Sequence, residues 1–285
     1  MKTTHKKSPP AKPAAPKYEI GFVGGGNMAT ALIRGLIATR IYKAQQILAS
    51  DVEAPKLTQL RKSFKVATTR DNTALVRDCK VVVLAVKPQI IDTVLTVLRS
   101  AAEETHLFIS IAAGVPTRRL ESGLGGKARV LRVMPNTPAL LGKGMSVLVR
   151  GRYATAADER LGLRLLQAVG QAVVVQDERM IDAVTGLSGS GPAYVYLFAE
   201  SLIAGGIAAG LTAAMAAQLT FQTIAGAAAM MQETGLSPET LRAQVTSPNG
   251  TTFAGLGELN RRGFKDTVIS AVIAATRRSE ELGRG

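Results

Sequence analysis

Between Tyr18 and Val175 one unit recurs: a short apolar run, a turn, then a stretch with a single apolar helical face. No other feature narrows the fold so far. The runs are Tyr18–Val23, Gln46–Ala49, a short one around Lys65-Val66-Ala67, Val81–Val86, Leu107–Ile111, Val130–Val133, Ser146–Val149 and Ala172–Val175. The clearest, Val81-Val82-Val83-Leu84-Ala85-Val86, is continuously apolar and rich in β-branching, the mark of a strand buried on both faces. Between the runs, Ala29, Leu32, Ile33, Leu36 and Ile37 share one helical face, and Leu57 and Leu60 share another. Strands alternating with helices predict an α/β fold: a Rossmann-type, doubly wound, mostly parallel sheet with helices on both sides.

From Asp177 the alternation stops and Ala-rich helical patterns take over. The organisation expected is therefore a dinucleotide-binding domain over residues 18–176 and an all-helical domain over 177–285. Residues 1–17, rich in Lys, Pro and Ala, read as a solvated, disordered basic tail. They lack the apolar segment of a secretory leader and the Arg-rich amphipathic pattern of a mitochondrial one, so the expected location is cytoplasmic. Ser201 to Gln232 contains no Asp, Glu, Lys or Arg, which raises the question of a membrane span. Glu200 directly before it, the helix-breaking Gly210-Leu211-Thr212, and Gln218 and Gln222 on one face all argue against one. Helices apolar nearly all round are buried helices. A small helical domain cannot cover two of them, so a subunit interface is expected.

Composition closes several other routes. An apolar fraction of 46% excludes a disordered chain. A single cysteine, Cys79, excludes a disulfide framework or cysteine-rich zinc site, and its apolar setting reads as core. The two histidines, His5 and His106, lie far apart, so no metal site is expected. The net charge is +14; five lysines in residues 1–17 account for part, leaving 14 − 5 = +9 on the body. Such a body attracts anions in general. With no Trp and no basic-aromatic reader motif, nucleic acid is not the expected partner.

Chemistry enters at Val23-Gly24-Gly25-Gly26-Asn27-Met28-Ala29, a G-x-G-x-x-A turn between a strand and a helix. Gly24 suits the tight turn, Gly26 lets the backbone approach a pyrophosphate, and Ala29 allows close helix packing. The helix start offers unpaired N–H groups to the phosphates. Asp51, ending the second apolar run, stands where an acidic residue commonly meets the adenine ribose. Ala85-Val86-Lys87-Pro88 closes the fourth strand, where a doubly wound sheet opens its ligand crevice; Lys87 faces the cofactor there or is a surface lysine before a turn. Met134-Pro135-Asn136-Thr137-Pro138 reads as a rigid turn. Gly186-Leu187-Ser188-Gly189-Ser190-Gly191-Pro192-Ala193-Tyr194 reads as a glycine-serine turn entering a helix near Pro192, and Thr246–Thr252 precedes another helix near Phe253. Small residues at a helix start suit a carboxylate or phosphate, or are ordinary capping.

Taken in order, these segments resemble the pyrroline-5-carboxylate reductases, from about Tyr18 to Leu282. One departure is Asn249, where the substrate loop of that family usually has glycine; Asn tolerates positive φ well enough to keep the loop's shape. The resemblance implies hydride transfer from NADPH or NADH to the C=N carbon of 1-pyrroline-5-carboxylate, giving L-proline. It implies a cofactor site comprising Val23, Gly24, Gly25, Gly26, Asn27, Met28, Asp51, Asn72, Ala85, Val86, Lys87 and Pro88. Backbone N–H groups around Gly250, Thr251 and Thr252, with Ser247, hold the substrate carboxylate, and the Thr252 hydroxyl bonds the ring nitrogen. It further implies a homo-oligomer, a dimer or a ring of dimers up to a decamer. The competing readings are another imine or 3-hydroxyacid dehydrogenase of the same fold, or a non-catalytic nucleotide-binding protein. The 3-hydroxyacid enzymes use a lysine early in the second domain, and Gly186 to Gly210 has none. Asp51 favours NADH, while Lys56 and Arg70 are the cations nearest to a 2′-phosphate.

Overall fold

A computed structural model describes residues 16–284. The tail expected over residues 1–17 lies outside them except for Pro16 and Lys17. The chain divides into two compact units between Glu178 and Arg179.

The first unit carries the sheet. Its strands are β1 (Tyr18–Val23), β2 (Ile47–Ser50), β3 (Ala67–Thr69), β4 (Cys79–Leu84), β5 (Leu107–Ser110), β6 (Arg129–Met134), β7 (Gly144–Arg150) and β8 (Gly170–Val174). Helices α1 (Asn27–Ala38), α2 (Ala54–Phe64), α3 (Asn72–Asp78), α4 (Ile91–Leu98), α5 (Thr117–Gly123) and α6 (Ala156–Leu166) connect them. The strand order is β3-β2-β1-β4-β5-β6-β7-β8. Every pairing is parallel except β6 with β7. The chain runs outward from β1 to β3, then returns to place β4 on the other side of β1. That reversal opens a crevice at the carboxyl ends of β1 and β4.

Alternation along each strand builds two cores, one on each face. Val81, Val83, Leu107 and Ile109 join Ile20, Phe22 and the α1 residues Leu32, Ile33 and Leu36 on one face. Val82, Leu84 and Phe108 join Leu75, Ile91, Leu95 and Leu98 on the other. Cys79 belongs to this second core, and burial pushes its thiol up to about 12, which keeps it an unreactive core residue. The fourth strand begins and ends two residues earlier than its apolar run, because Ala85 and Val86 already belong to the crevice rim. One buried charge is fully answered. Arg132 of β6 donates to Glu178 at 2.9 Å, and the same carboxylate accepts the Thr117 N–H at 2.8 Å and hydroxyl at 2.6 Å.

The second unit is helical: α7 (Met180–Val184), α8 (Gly191–Ala208), α9 (Ala213–Thr234), α10 (Pro238–Gln244), α11 (Thr251–Arg261) and α12 (Phe264–Arg284). As expected, Gly210 takes a left-handed φ of 99° and Thr212 caps α9, accepting the Met215 N–H at 3.3 Å. The uncharged stretch is thus split, and among the described residues no helix is long and apolar enough to cross a membrane. The segment read as a glycine-serine turn is different from expectation. Thr185–Gly189 forms one π-helical turn, so the backbone runs helically from α7 into α8. A Cβ on Gly186 would stand 2.3 Å from the Thr276 hydroxyl, so the small residue answers close packing by α12 rather than a loop. Tyr194 donates from its hydroxyl to the Gly186 carbonyl at 3.1 Å and braces this turn.

Candidate active site

The dinucleotide turn is assembled by backbone contacts that leave little freedom. Gly24 N–H donates to the Ser50 carbonyl and Ala85 N–H to the Val23 carbonyl, each at 2.8 Å. These bonds draw the ends of β1, β2 and β4 together. Gly24 has φ of 102°, and a Cβ there would lie 2.5 Å from the Ala85 carbonyl oxygen. Only glycine fits. A Cβ on Gly26, by contrast, would meet nothing within 4 Å. The chain is therefore closed behind Gly24 and open over Gly26, at the N-terminus of the twelve-residue α1. Gly26 is the N-cap and no side chain caps the helix start, so its first N–H groups remain for an anion.

Two polar residues border the turn. The Asp51 carboxylate accepts the Gly25 N–H through Oδ2 at 2.7 Å and the Glu53 N–H through Oδ1 at 2.9 Å. The acid that the sequence assigns to the ribose thus also clamps the glycine turn, a contact between residues 26 apart that local pattern does not announce. Asn72 opens α3, and its Oδ1 accepts a 2.6 Å hydrogen bond from the buried Ser50 hydroxyl at the end of β2. Lys87 is exposed and its backbone begins a single 3₁₀ turn over Pro88–Ile90. Val23 to Met28, Asp51, Asn72 and Ala85 to Pro88 are therefore gathered around the carboxyl ends of β1, β2 and β4. The Asn136 side chain ties the Met134–Pro138 segment to the sheet by accepting the Met145 N–H at 2.8 Å.

The Ser247–Thr252 loop belongs to the second unit. Asn249 adopts φ of 57°, the left-handed conformation that the residue was expected to tolerate. Gly250 follows as the N-cap of α11, and a Cβ on it would stand 2.4 Å from the Ser247 Oγ. Its own N–H turns inward and donates to the Ser247 carbonyl at 3.1 Å. No side chain caps α11, which leaves Thr251 and Thr252, its first two residues, to present N–H groups outward. Of the three N–H groups named for the loop, the Gly250 one is bonded within the turn and the other two stand at the uncapped helix start. The Thr252 hydroxyl stands beside them, on a helix whose dipole adds positive potential.

Among the described residues no cluster of His, Cys, Asp and Glu has the arrangement of a metal site. His106 accepts the Glu103 N–H at Nδ1 and also bonds the Val76 backbone, and burial lowers its pKa.

Comparison with known proteins adds independent findings. Residues 178–282 match a family model described as pyrroline-5-carboxylate reductase dimerisation, and residues 19–114 match one described as NADP oxidoreductase, coenzyme F420-dependent. A pyrroline-5-carboxylate reductase of Arabidopsis thaliana is 40% identical over 95% of this chain and 97% of its own. The solved pyrroline-5-carboxylate reductase of Coxiella burnetii superposes with a TM-score of 0.88 at 38% identity, covering 93% of this chain and 98% of that one. The Plasmodium falciparum pyrroline carboxylate reductase, solved with NADP bound, gives 0.84 at 32% identity, covering 95% and 100%.

Proposed function

The chain belongs to the pyrroline-5-carboxylate reductase family, and from that premise we propose that it reduces the C=N bond of 1-pyrroline-5-carboxylate to give L-proline, using NAD(P)H. The observation that carries this reading is the pairing, in one chain, of a glycine turn open only over Gly26 with an uncapped helix start at Thr251-Thr252. The first suits a pyrophosphate and the second a carboxylate. Reduced nicotinamide, when bound, supplies the hydride.

The protein's own residues bind and orient. The N–H groups that begin α1 hold the pyrophosphate, with Asp51 keeping Gly25 in place. Asn72, braced by Ser50, lines the nucleotide end, and Ala85 to Pro88 form the rim toward the nicotinamide. In the second unit, Thr251 and Thr252 N–H groups hold the substrate carboxylate, Ser247 shapes the loop, and Gly250 keeps room for it. The Thr252 hydroxyl accepts a hydrogen bond from the iminium N–H and stays bonded as that nitrogen becomes an amine. The nitrogen already carries its proton, so no strong acid is needed. Catalysis rests on holding the imine carbon in a near-attack geometry.

The second unit matches a dimerisation model, and the chain is read as a homo-oligomer. Its assembly into a ring of up to five dimers and a cytoplasmic location belong to the same proposal. Addition of the cyclic imino acid to enzyme with NADPH or NADH should consume reduced-nicotinamide absorbance and yield proline. No turnover with either cofactor across the pH range overturns the reading.

A further inference from the structure

The corner beyond β2 holds an ion pair, Lys56 with Glu53, that the proposed reaction does not use. Asp51 is only a tenth exposed, and each of its oxygens is already taken by a main-chain N–H. It cannot turn toward or away from a 2′-substituent without releasing the glycine turn. Discrimination between the two nicotinamide cofactors falls to groups that are free to rearrange. Arg70 is tied to the main chain, its Nη2 donating to the Val52 carbonyl at 3.2 Å in the loop between β2 and α2, whereas Lys56 is held only by an exposed side chain. Lys56, in the first turn of α2, is part-exposed; its Nζ lies 3.9 Å from Asp51 Oδ2 and donates a hydrogen bond to the Glu53 carboxylate.

We propose that Lys56 selects the 2′-phosphorylated dinucleotide, and that Glu53 is its guard, holding the ammonium when no 2′-phosphate is present. The inference rests on the dinucleotide reading of this turn. A 2′-phosphate offers Lys56 a stronger partner than one carboxylate, but binding it means parting Lys56 from Glu53 and bringing a dianion near two acids. The balance yields a modest preference rather than an exclusive one. The Glu53 hydrogen bond, then the charges of Asp51 and Glu53, hold the Lys56 pKa above the ordinary lysine range against slight desolvation, so the ammonium is present at neutral pH.

Isothermal titration of the full chain with 2′,5′-ADP and with 5′-AMP tests this without turnover. Lys56→Met is expected to lower the affinity ratio of 2′,5′-ADP to 5′-AMP about tenfold, as befits one charge-assisted contact. Glu53→Gln is expected to raise it about threefold, the scale of an exposed ion pair. In a Lys56→Met background, Glu53→Gln should raise it by clearly less, since only direct repulsion between Glu53 and the phosphate is then relieved. A ratio unmoved by Lys56→Met overturns the selector. A Glu53→Gln effect that is absent in the wild type, or that is undiminished without Lys56, overturns the guard. If neither nucleotide binds the wild type, the dinucleotide reading itself falls, and this proposal with it.

Discussion

The two units bury their apolar residues on different terms. In the sheet unit the large side chains close on one another; Phe22, Phe108, Ile33, Leu84 and Leu95 are essentially inaccessible. In the helical unit, among the described residues, only Ile181, Ala199 and Ala216 count as buried apolar residues. Leu197, Phe221, Leu219 and Met215 there are each more than half exposed. One unit contains its core, whereas the other carries half of a core on its surface. That is the expected form of an obligate interface, which resembles a domain core cut in two. The absence of charge from residues 201 to 232 fits such a face, since a charge there would be desolvated on assembly.

The largest effect should come from breaking that asymmetry. Met215→Glu with Leu219→Glu, four residues apart on α9, places two carboxylates on one exposed apolar face of each copy. Burial of such side chains is worth about 1.5–3 kcal/mol each, and a two-fold interface counts every change twice. Light scattering should show monomers at micromolar concentration. Cys79 should remain protected from thiol reagents in that variant, because its core lies wholly in the sheet unit. Persistent dimers would mean that this face is not the interface; a labelled Cys79 would mean that the sheet unit does not stand alone.

Next in size is Gly24→Ala, confined to the sheet unit. The left-handed backbone costs about 1–3 kcal/mol for a residue with a Cβ, and overlap with the Ala85 carbonyl adds to it. The melting temperature should fall and calorimetric titration should show dinucleotide affinity reduced by more than about tenfold. The oligomer should survive, because the helical unit is untouched. Thr252→Ala reverses the pattern. Losing the proposed hydrogen bond to the ring nitrogen should lower kcat/KM about fivefold or more, the equivalent of about 1 kcal/mol. Dinucleotide affinity should not change. Unchanged kcat/KM for the imine removes Thr252 from the mechanism.

The same contrast governs how much was legible in sequence. The sheet unit announces itself because burial on both faces leaves continuous apolar runs, and because the Gly24 turn is a local backbone requirement. What escaped there was long-range: the Asp51 clamp on Gly25, the Arg132–Glu178–Thr117 network, and the antiparallel direction of β7, which side-chain pattern does not encode. In the helical unit the glycines and serines of 186–191 spell a loop by propensity, yet packing against α12 holds them in a π turn. The one clue was the small size of Gly186, which is read as flexibility or as close approach with equal ease. The Ser247–Thr252 loop was legible because its shape is set within a few residues.

That locality supports the smallest prediction, which concerns Asn249. At φ of 57° a residue with an ordinary Cβ pays about 1–2 kcal/mol relative to right-handed backbone, while Asn and Gly largely escape it. Asn249→Gly should therefore be nearly silent. Glycine removes the residual strain but adds freedom to the unfolded chain, and the two contributions oppose each other at about 0.5 kcal/mol. Asn249→Ala should lose about 1 kcal/mol locally, with two possible destinations. If the loop keeps its form, the loss is read in the melting temperature and kcat/KM stays put. If the loop relaxes, Thr251 and Thr252 leave the proposed carboxylate nest and KM for the imino acid rises while the melting temperature holds. Measuring both for the Gly and Ala variants separates strain that is held from strain that is released. An Ala variant equal to wild type in both would show that the left-handed residue is not required, and that the nest is shaped by α11 alone.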